Sequence, residues 1–279
     1  MNQRIITLTR YLFHRIARSV VGGLYFLSAL ALWLIFFNPT QSRVPEPDYF
    51  ILLVTIYGAL LSFLTTLSVS TRANRPESAA LITRLPSRVE YLAAILLSCL
   101  SFSLLIQVVI SIVVLLQPQG PSIGFSKLIE IPPIWVATNI FMIVLALHAS
   151  DFVMNGWSRA YVFAVLTALL FSQSVDSRGI KWVSDRLNGF ATSATRQEWV
   201  GLAQTLRNAS IWVTNNGLDF MSQTIGFVFW PFRAISNAVQ DGFFDNAQIL
   251  APAILLLYAT ILFMLAADLF ANKDLHFVE

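Results

Sequence analysis

Six apolar stretches run along the chain: Val20–Phe37, Tyr49–Ser70, Tyr91–Leu116, Ile131–Phe152, Trp157–Val175 and Ile249–Phe270. Each approaches the roughly 20 apolar residues a helix needs to cross about 30 Å of hydrocarbon at about 1.5 Å per residue. The pattern predicts an all-α integral membrane protein with six transmembrane helices. The third is long enough to tilt, and Arg159, near the start of the fifth, must snorkel to an interface. The first run follows several arginines, yet it ends in Phe36-Phe37-Asn38-Pro39 rather than a small-residue cleavage site, so it reads as a retained span.

The polar positions are as informative as the apolar ones. Over residues 1–19, at about 100° per residue, Arg4, Arg10, Arg15 and Arg18 share one face with Gln3, Thr7, Tyr11 and His14. Ile5, Ile6, Leu8, Leu12, Phe13 and Ile16 share the other. This predicts an amphipathic N-terminal interfacial helix, with its arginines toward lipid headgroups or a cytoplasmic partner.

The loop at 71–90 carries Arg72, Arg75, Arg84 and Arg88, whereas the first and third loops hold one basic residue each, Arg43 and Lys127. Basic residues near span ends mark the cytoplasmic side. The N-terminus, the second loop and the C-terminus are therefore expected in the cytoplasm, in an inner (plasma) membrane. Within the second loop, Asn74 and Glu77 have N-cap and N3 spacing with Pro76 in the first turn, which predicts a short helix to about Arg84. Leu85-Pro86 ends it, and Ser87 with Glu90 forms a second capping box that starts the third span.

The stretch 176–248 places Trp182, Leu187, Trp199, Val200, Leu202 and Leu206 at near-helical spacing. Asn215, Asn216, Gly217, Asp219, Ser222 and Gln223 interrupt its apolar run. It is expected to form short extracytoplasmic helices lying on or dipping into the outer leaflet, so that residues 1–279 make one transmembrane domain.

Composition narrows the chemistry. The chain is 56% hydrophobic and 12% charged, with a net charge of +3. That excludes a soluble globule and leaves too little dispersed basic charge for a nucleic-acid surface. The single cysteine, Cys99, permits no intrachain disulfide and no cysteine metal site. There is no G-x-x-x-x-G-K-[ST] loop, no H-E-x-x-H and no G-x-S-x-G. No span carries a charge near its middle, which argues against a carrier coupled through a buried ionisable group. His148 and Asp151 are spaced to share a helix face, as a hydrogen-bonded pair, a proton relay or half a metal site. Hydroxyls at Ser62, Thr65 and Thr66, with Tyr57 further up the second span, suit helix packing or a pathway lining. Ser98, Ser101, Ser103 and Gln107 on the third span invite the same two readings.

Three stretches, in order, resemble the permease subunits of ATP-binding-cassette exporters of the type-2 family. Glu77-Ser78-Ala79-Ala80-Leu81-Ile82-Thr83-Arg84-Leu85-Pro86-Ser87-Arg88-Val89-Glu90 is similar to the family's E-x-G-T-x-x-x-L-L-x-x-P-x-S-R-x-E segment between the second and third spans. Here Ser78-Ala79 stands in place of its Gly-Thr. Trp230-Pro231-Phe232-Arg233-Ala234-Ile235 resembles the W-P-F stretch before the last span. The ending Asp268-Leu269-Phe270-Ala271-Asn272-Lys273-Asp274-Leu275 resembles the L-F-x-x-[RK]-D-L tail.

The resemblance implies half of an export pathway, with ATP and Mg bound by a separate cytoplasmic ATPase subunit and no cofactor or metal in this chain. It implies a coupling helix whose Glu77, Leu81, Arg84, Leu85 and Arg88 contact that ATPase. It also implies a second permease subunit, making a homodimer or heterodimer. Tyr57, Ser62, Thr65, Thr66, Thr167, Ser172 and Gln173 are the implied pathway lining. The rival readings are a non-transporting structural or regulatory membrane subunit, and a lipid-acting enzyme using His148 and Asp151.

Overall fold

The computed structural model describes residues 2–38, 46–73, 82, 85, 87–118, 120–121, 123–150, 153, 157–172, 177–241 and 248–272. Among the described residues it is helical throughout, with no strand. The helices are α1 (Asn2–Ala17), α2 (Val20–Phe36), α3 (Pro47–Ala73), α4 (Arg88–Leu115), α5 (Phe125–Ala149), α6 (Trp157–Ser172), α7 (Ser177–Arg196), α8 (Val200–Val228), α9 (Trp230–Asp241) and α10 (Ala251–Asn272). A 3₁₀ turn at Gln248–Leu250 precedes α10. Contacts divide the chain into two units, residues 1–163 with 234–279, and residues 164–233.

Four stretches among the described residues are long and apolar enough to cross a membrane: Pro47–Ala73, Arg88–Leu115, Leu128–Ala149 and Gln248–Asn272. The pair α1 and α2 meets the same measure jointly but is bent by 67°. The molecule is therefore a membrane protein with four such helices, or five if the bent pair is one span. Alone, the 17 residues of α2 and the 16 of α6 rise about 24–26 Å, short of the about 30 Å of hydrocarbon. The stretch expected to continue α6 to Val175 lies outside the described residues.

Ser19 makes the bend. Its hydroxyl donates to the Ile16 carbonyl at 2.8 Å, ending α1, and accepts the Gly22 amide at 3.0 Å, capping α2. Gly22 permits the turn to be tight, because a Cβ there would collide with the Ile16 carbonyl oxygen.

In the first unit α3, α4 and α5 pack on one another, α10 packs on α5, and α1 packs on α4. Between apolar helices in lipid, association comes from close packing and interhelical hydrogen bonds rather than from expelling water. Small residues on α3 and α4 (Gly58, Ala59, Ser62, Ser98, Cys99, Ser103) are buried at these contacts. Phe102 is fully buried on α4, and the rings of Phe13, Tyr25 and Phe26 stand 6.1, 6.2 and 5.9 Å from it, so one side chain meets both α1 and α2. At the end of α5 the residues from Ile143 to Ser150 are all buried, whichever face of the helix they occupy.

The apolar stripe of α1 is formed as expected, but much of it is used within the chain. Leu8, Leu12 and Ile16 are buried, with Phe13 on Phe102, whereas Ile6 stays exposed. The hydrophobic face of an amphipathic helix satisfies a neighbouring helix as well as it does lipid.

The second unit contains an antiparallel hairpin of α7 and α8, 20 and 29 residues long. This corrects the expectation of short helices. Asn215, Asn216 and Gly217 do not break α8, because an Asn or Gly inside a helix costs only up to about 1 kcal/mol and Gly217 is buried within it. Buried positions seven residues apart, Ser184 and Ala191 on α7 and Ala203, Ser210 and Gly217 on α8, with Ala194 also buried towards the turn, make a seam that keeps two helices in register. Along it the Ser184 hydroxyl lies 2.7 Å from that of Ser210 and 2.8 Å from that of Thr214. At the turn, Trp199 N–H donates to the Ala194 carbonyl at 2.9 Å and Glu198 N–H to Thr195 at 3.1 Å. This is a Schellman cap, with Glu198 in the left-handed region at φ 63°.

Candidate functional site

One end of the first unit gathers arginines. Arg15, half-buried on α1, and Arg72 on α3 line one small crevice with Leu12, Val69 and Tyr91. Arg4, Arg10 and Arg18 are exposed along α1. Arg88 opens α4, behind the N-cap Ser87, whose hydroxyl accepts the Val89 amide at 3.3 Å. The expected capping box is therefore not made on its serine side, because Ser87 accepts from Val89, the second helical residue, while the Glu90 amide goes to the Ser87 carbonyl at 3.2 Å. Its Glu90 is buried, with Oε2 lacking a hydrogen-bond partner. Leu85 N–H donates to the Ile82 carbonyl at 3.3 Å, a tight turn at the expected break. Glu77, Leu81 and Arg84 lie outside the described residues.

The hydroxyl face of α3 is turned into the packed interior. Ser62, Thr65 and Thr66 are 0, 1 and 0% exposed, and Thr66 Oγ1 donates to its own helix at the Ser62 carbonyl, 2.7 Å away. Tyr57 reaches α2: its hydroxyl is 2.9 Å from Ser28 Oγ and donates to the Tyr25 carbonyl at 3.1 Å. Thr167 is exposed on α6 and Ser172 is the last residue of that helix; Gln173 lies outside the described residues.

A polar cluster joins α3, α4 and α5 in the apolar interior. Gln107 Nε2 donates to the Val54 carbonyl at 3.1 Å, and Gln107 Oε1 accepts from Asn139 Nδ2 at 2.7 Å. Trp135, one turn before Asn139, donates from Nε1 to Thr55 Oγ1 at 3.0 Å, and Thr55 donates to the Ile51 carbonyl at 2.7 Å. Gly58 makes room, since a Cβ there would collide with the Gln107 amide. Of these residues the sequence had singled out Gln107 alone. Asn139 and Trp135 are polar interruptions of an apolar run, and Gly58 is the one glycine in α3; those were the available signals.

His148 is fully buried, and its Nε2 lies 2.9 Å from the Leu262 carbonyl of α10. A carbonyl only accepts, so Nε2 carries the proton and Nδ1 is left as an acceptor. The Tyr161 ring stands edge-on 5.7 Å away. The expected partner Asp151 lies outside the described residues. Cys99 is buried as a free thiol, and no group of three potential metal ligands occurs among the described residues.

The polar side chains of the first unit thus tie helix to helix, while cationic side chains collect at one end. Together with the long apolar helices they define a multi-helix membrane protein. Beyond that class, no family model matches the chain, no curated protein matches it, and no solved structure matches it.

Proposed function

We propose that this chain is the permease subunit of a type-2 ATP-binding-cassette exporter, forming half of an export pathway driven by a separate cytoplasmic ATPase that binds ATP and Mg. The chief support is the segment between the two bilayer-length helices α3 and α4. It resembles the coupling segment of that family from Glu77 to Glu90, and its described end carries a formed cap at Ser87 just after the Leu85 turn. In this reading the six apolar stretches all cross an inner membrane. Both termini and the arginine end of the first unit then face the cytoplasm, consistent with the excess of basic residues there. Glu77, Leu81, Arg84, Leu85 and Arg88 meet the ATPase, and closure of two ATPase subunits moves these segments and re-packs the helices. A second permease, identical or related, completes the pathway, with Tyr57, Thr167, Ser172 and Gln173 among the residues to be tried as its lining.

A second reading, a structural or regulatory subunit that transports nothing, draws support from the burial of Ser62, Thr65 and Thr66 inside the chain's own packing. Purification from native membranes in mild detergent, with mass spectrometry of bound chains, separates the two. A stoichiometric chain with a P-loop is expected, and a stable assembly without one overturns the transporter reading. In the assembled complex, Glu77→Ala with Arg84→Ala should uncouple ATP hydrolysis from export while leaving the assembly folded. Unchanged coupling would overturn the contact assignment.

A further inference from the structure

The α7–α8 hairpin has two unlike faces. The Ser184–Ala191 and Ala203–Ser210–Gly217 seam fixes which side of each helix meets the other. At about 100° per residue, Val183 and Phe190 of α7 then fall on the same side of the hairpin as Leu202 and Phe220 of α8, with Trp182 and Trp212 at the outer edges, pointing away from the seam. All are exposed: Trp182 61%, Phe190 63%, Trp212 49%, Phe220 55%. The Trp212 and Phe220 rings meet edge-on at 5.5 Å on that side.

The opposite side carries Lys181, Asp185, Asn188, Thr192, Arg196 and Arg207, all exposed, with Val200 and Ile211 as its apolar exceptions. Arg207 donates to Thr195 Oγ1 there at 3.4 Å, which confirms that these two arcs share a side.

We propose that the aromatic face of this hairpin lies on a lipid surface, with the helices in the plane of the interface rather than across the bilayer. Three observations choose lipid over another protein. Tryptophan and phenylalanine beside aliphatic residues on one face, with charge on the other, is the composition of an interfacial element. Around α7 Arg186 falls between Phe190 and Trp182, and its guanidinium sits 5.5 Å from the centre of the Trp182 ring. That geometry lets the cation reach headgroups while its stem covers an apolar ring. From Ser177 to Val228 the hairpin has five basic residues (Arg178, Lys181, Arg186, Arg196, Arg207) against three acidic (Asp185, Glu198, Asp219), a surplus of two that favours anionic headgroups. The chain also tethers it to the bilayer, since a membrane-length helix, α10, follows within the same polypeptide. The small-residue seam keeps the two helices close, so that both can present their aromatics to one plane.

The test uses the full chain with Cys99→Ala, reconstituted in vesicles of phosphatidylcholine and phosphatidylglycerol. Single nitroxide labels are placed by Phe190→Cys or Asn188→Cys on α7, and by Leu202→Cys or Gln204→Cys on α8. Each pair is two residues apart in sequence and on opposite faces. Labels at 190 and 202 should be relaxed more by oxygen than by a water-soluble nickel chelate, and labels at 188 and 204 the reverse. All four in the aqueous class would overturn the proposal, because the aromatic face would then meet water or a soluble partner. All four in the lipid class would overturn it too, because the hairpin would cross the bilayer. The second pair decides if one variant of the first fails to fold.

Discussion

Asn139 Nδ2 donates to Gln107 Oε1 over 2.7 Å, linking α5 to α4 where both side chains are fully buried. Gln107 passes the link on to the Val54 carbonyl of α3, which keeps its own helical partner as well. Double-mutant cycles on such bonds inside membrane bundles average about 0.6 kcal/mol, with a maximum near 1.7. We expect Gln107→Met and Asn139→Leu each to destabilise the protein by about 1 kcal/mol, and the double variant to lose less than the sum. Reversible unfolding in mixed micelles measures this, and strict additivity would show that the bond contributes nothing.

Gly58→Ala should change sign with its background. The new methyl must push the Gln107 amide away, and the orphaned buried amides cost about 1–3 kcal/mol. Alanine also gains up to about 1 kcal/mol of helix propensity over glycine. In the native background a net loss is expected. Once Gln107→Ala has cleared the space, the same change should stabilise. A loss of equal size in both backgrounds would show that Gln107 is not what the methyl meets.

Glu198 holds a left-handed backbone conformation that costs a side-chain-bearing residue about 1 kcal/mol. Glu198→Gly should therefore raise the melting temperature in detergent by about 2 °C, even though the substitution removes a side chain. A fall would mean that the carboxylate stabilises the turn by more than the backbone strain costs.

The α7–α8 seam is intolerant of bulk. Ala203→Leu inserts a branched side chain where the seam is lined by Ser, Ala and Gly, and overpacking of this kind costs about 1–3 kcal/mol. Protease cleavage between α7 and α8 should accelerate in that variant. A matching change at the exposed Gln204 should leave it unaltered, and equal acceleration at both sites would sink the idea.

What could be read along the chain was local. The Ser87 cap, the turn at Leu85 and the apolar stripe of α1 depend on residues within a turn or two of one another, and each was legible from spacing. The Gln107–Asn139 bond joins residues 32 apart and depends on which helices become neighbours, which spacing does not encode. The α7–α8 turn escaped because Glu198 does the work usually given to glycine. The length of α8 escaped because Asn215-Asn216-Gly217 interrupts a hydrophobicity pattern without interrupting a backbone. His148 was singled out only for its spacing to Asp151, whereas its described partner is a backbone carbonyl on α10, and carbonyls leave no trace in composition.

The end of α5 has a consequence for how the gene can vary. On α4 the buried positions recur with the helical repeat, so exposed Leu105, Val108 and Ile112 alternate with buried Phe102, Ile106 and Ile110. A saturation scan there should show tolerance rising and falling every three or four residues. From Ile143 to Ser150 no position faces outward. Substitutions across that run should be rejected with no periodicity at all, which would make it the least mutable stretch of the first unit.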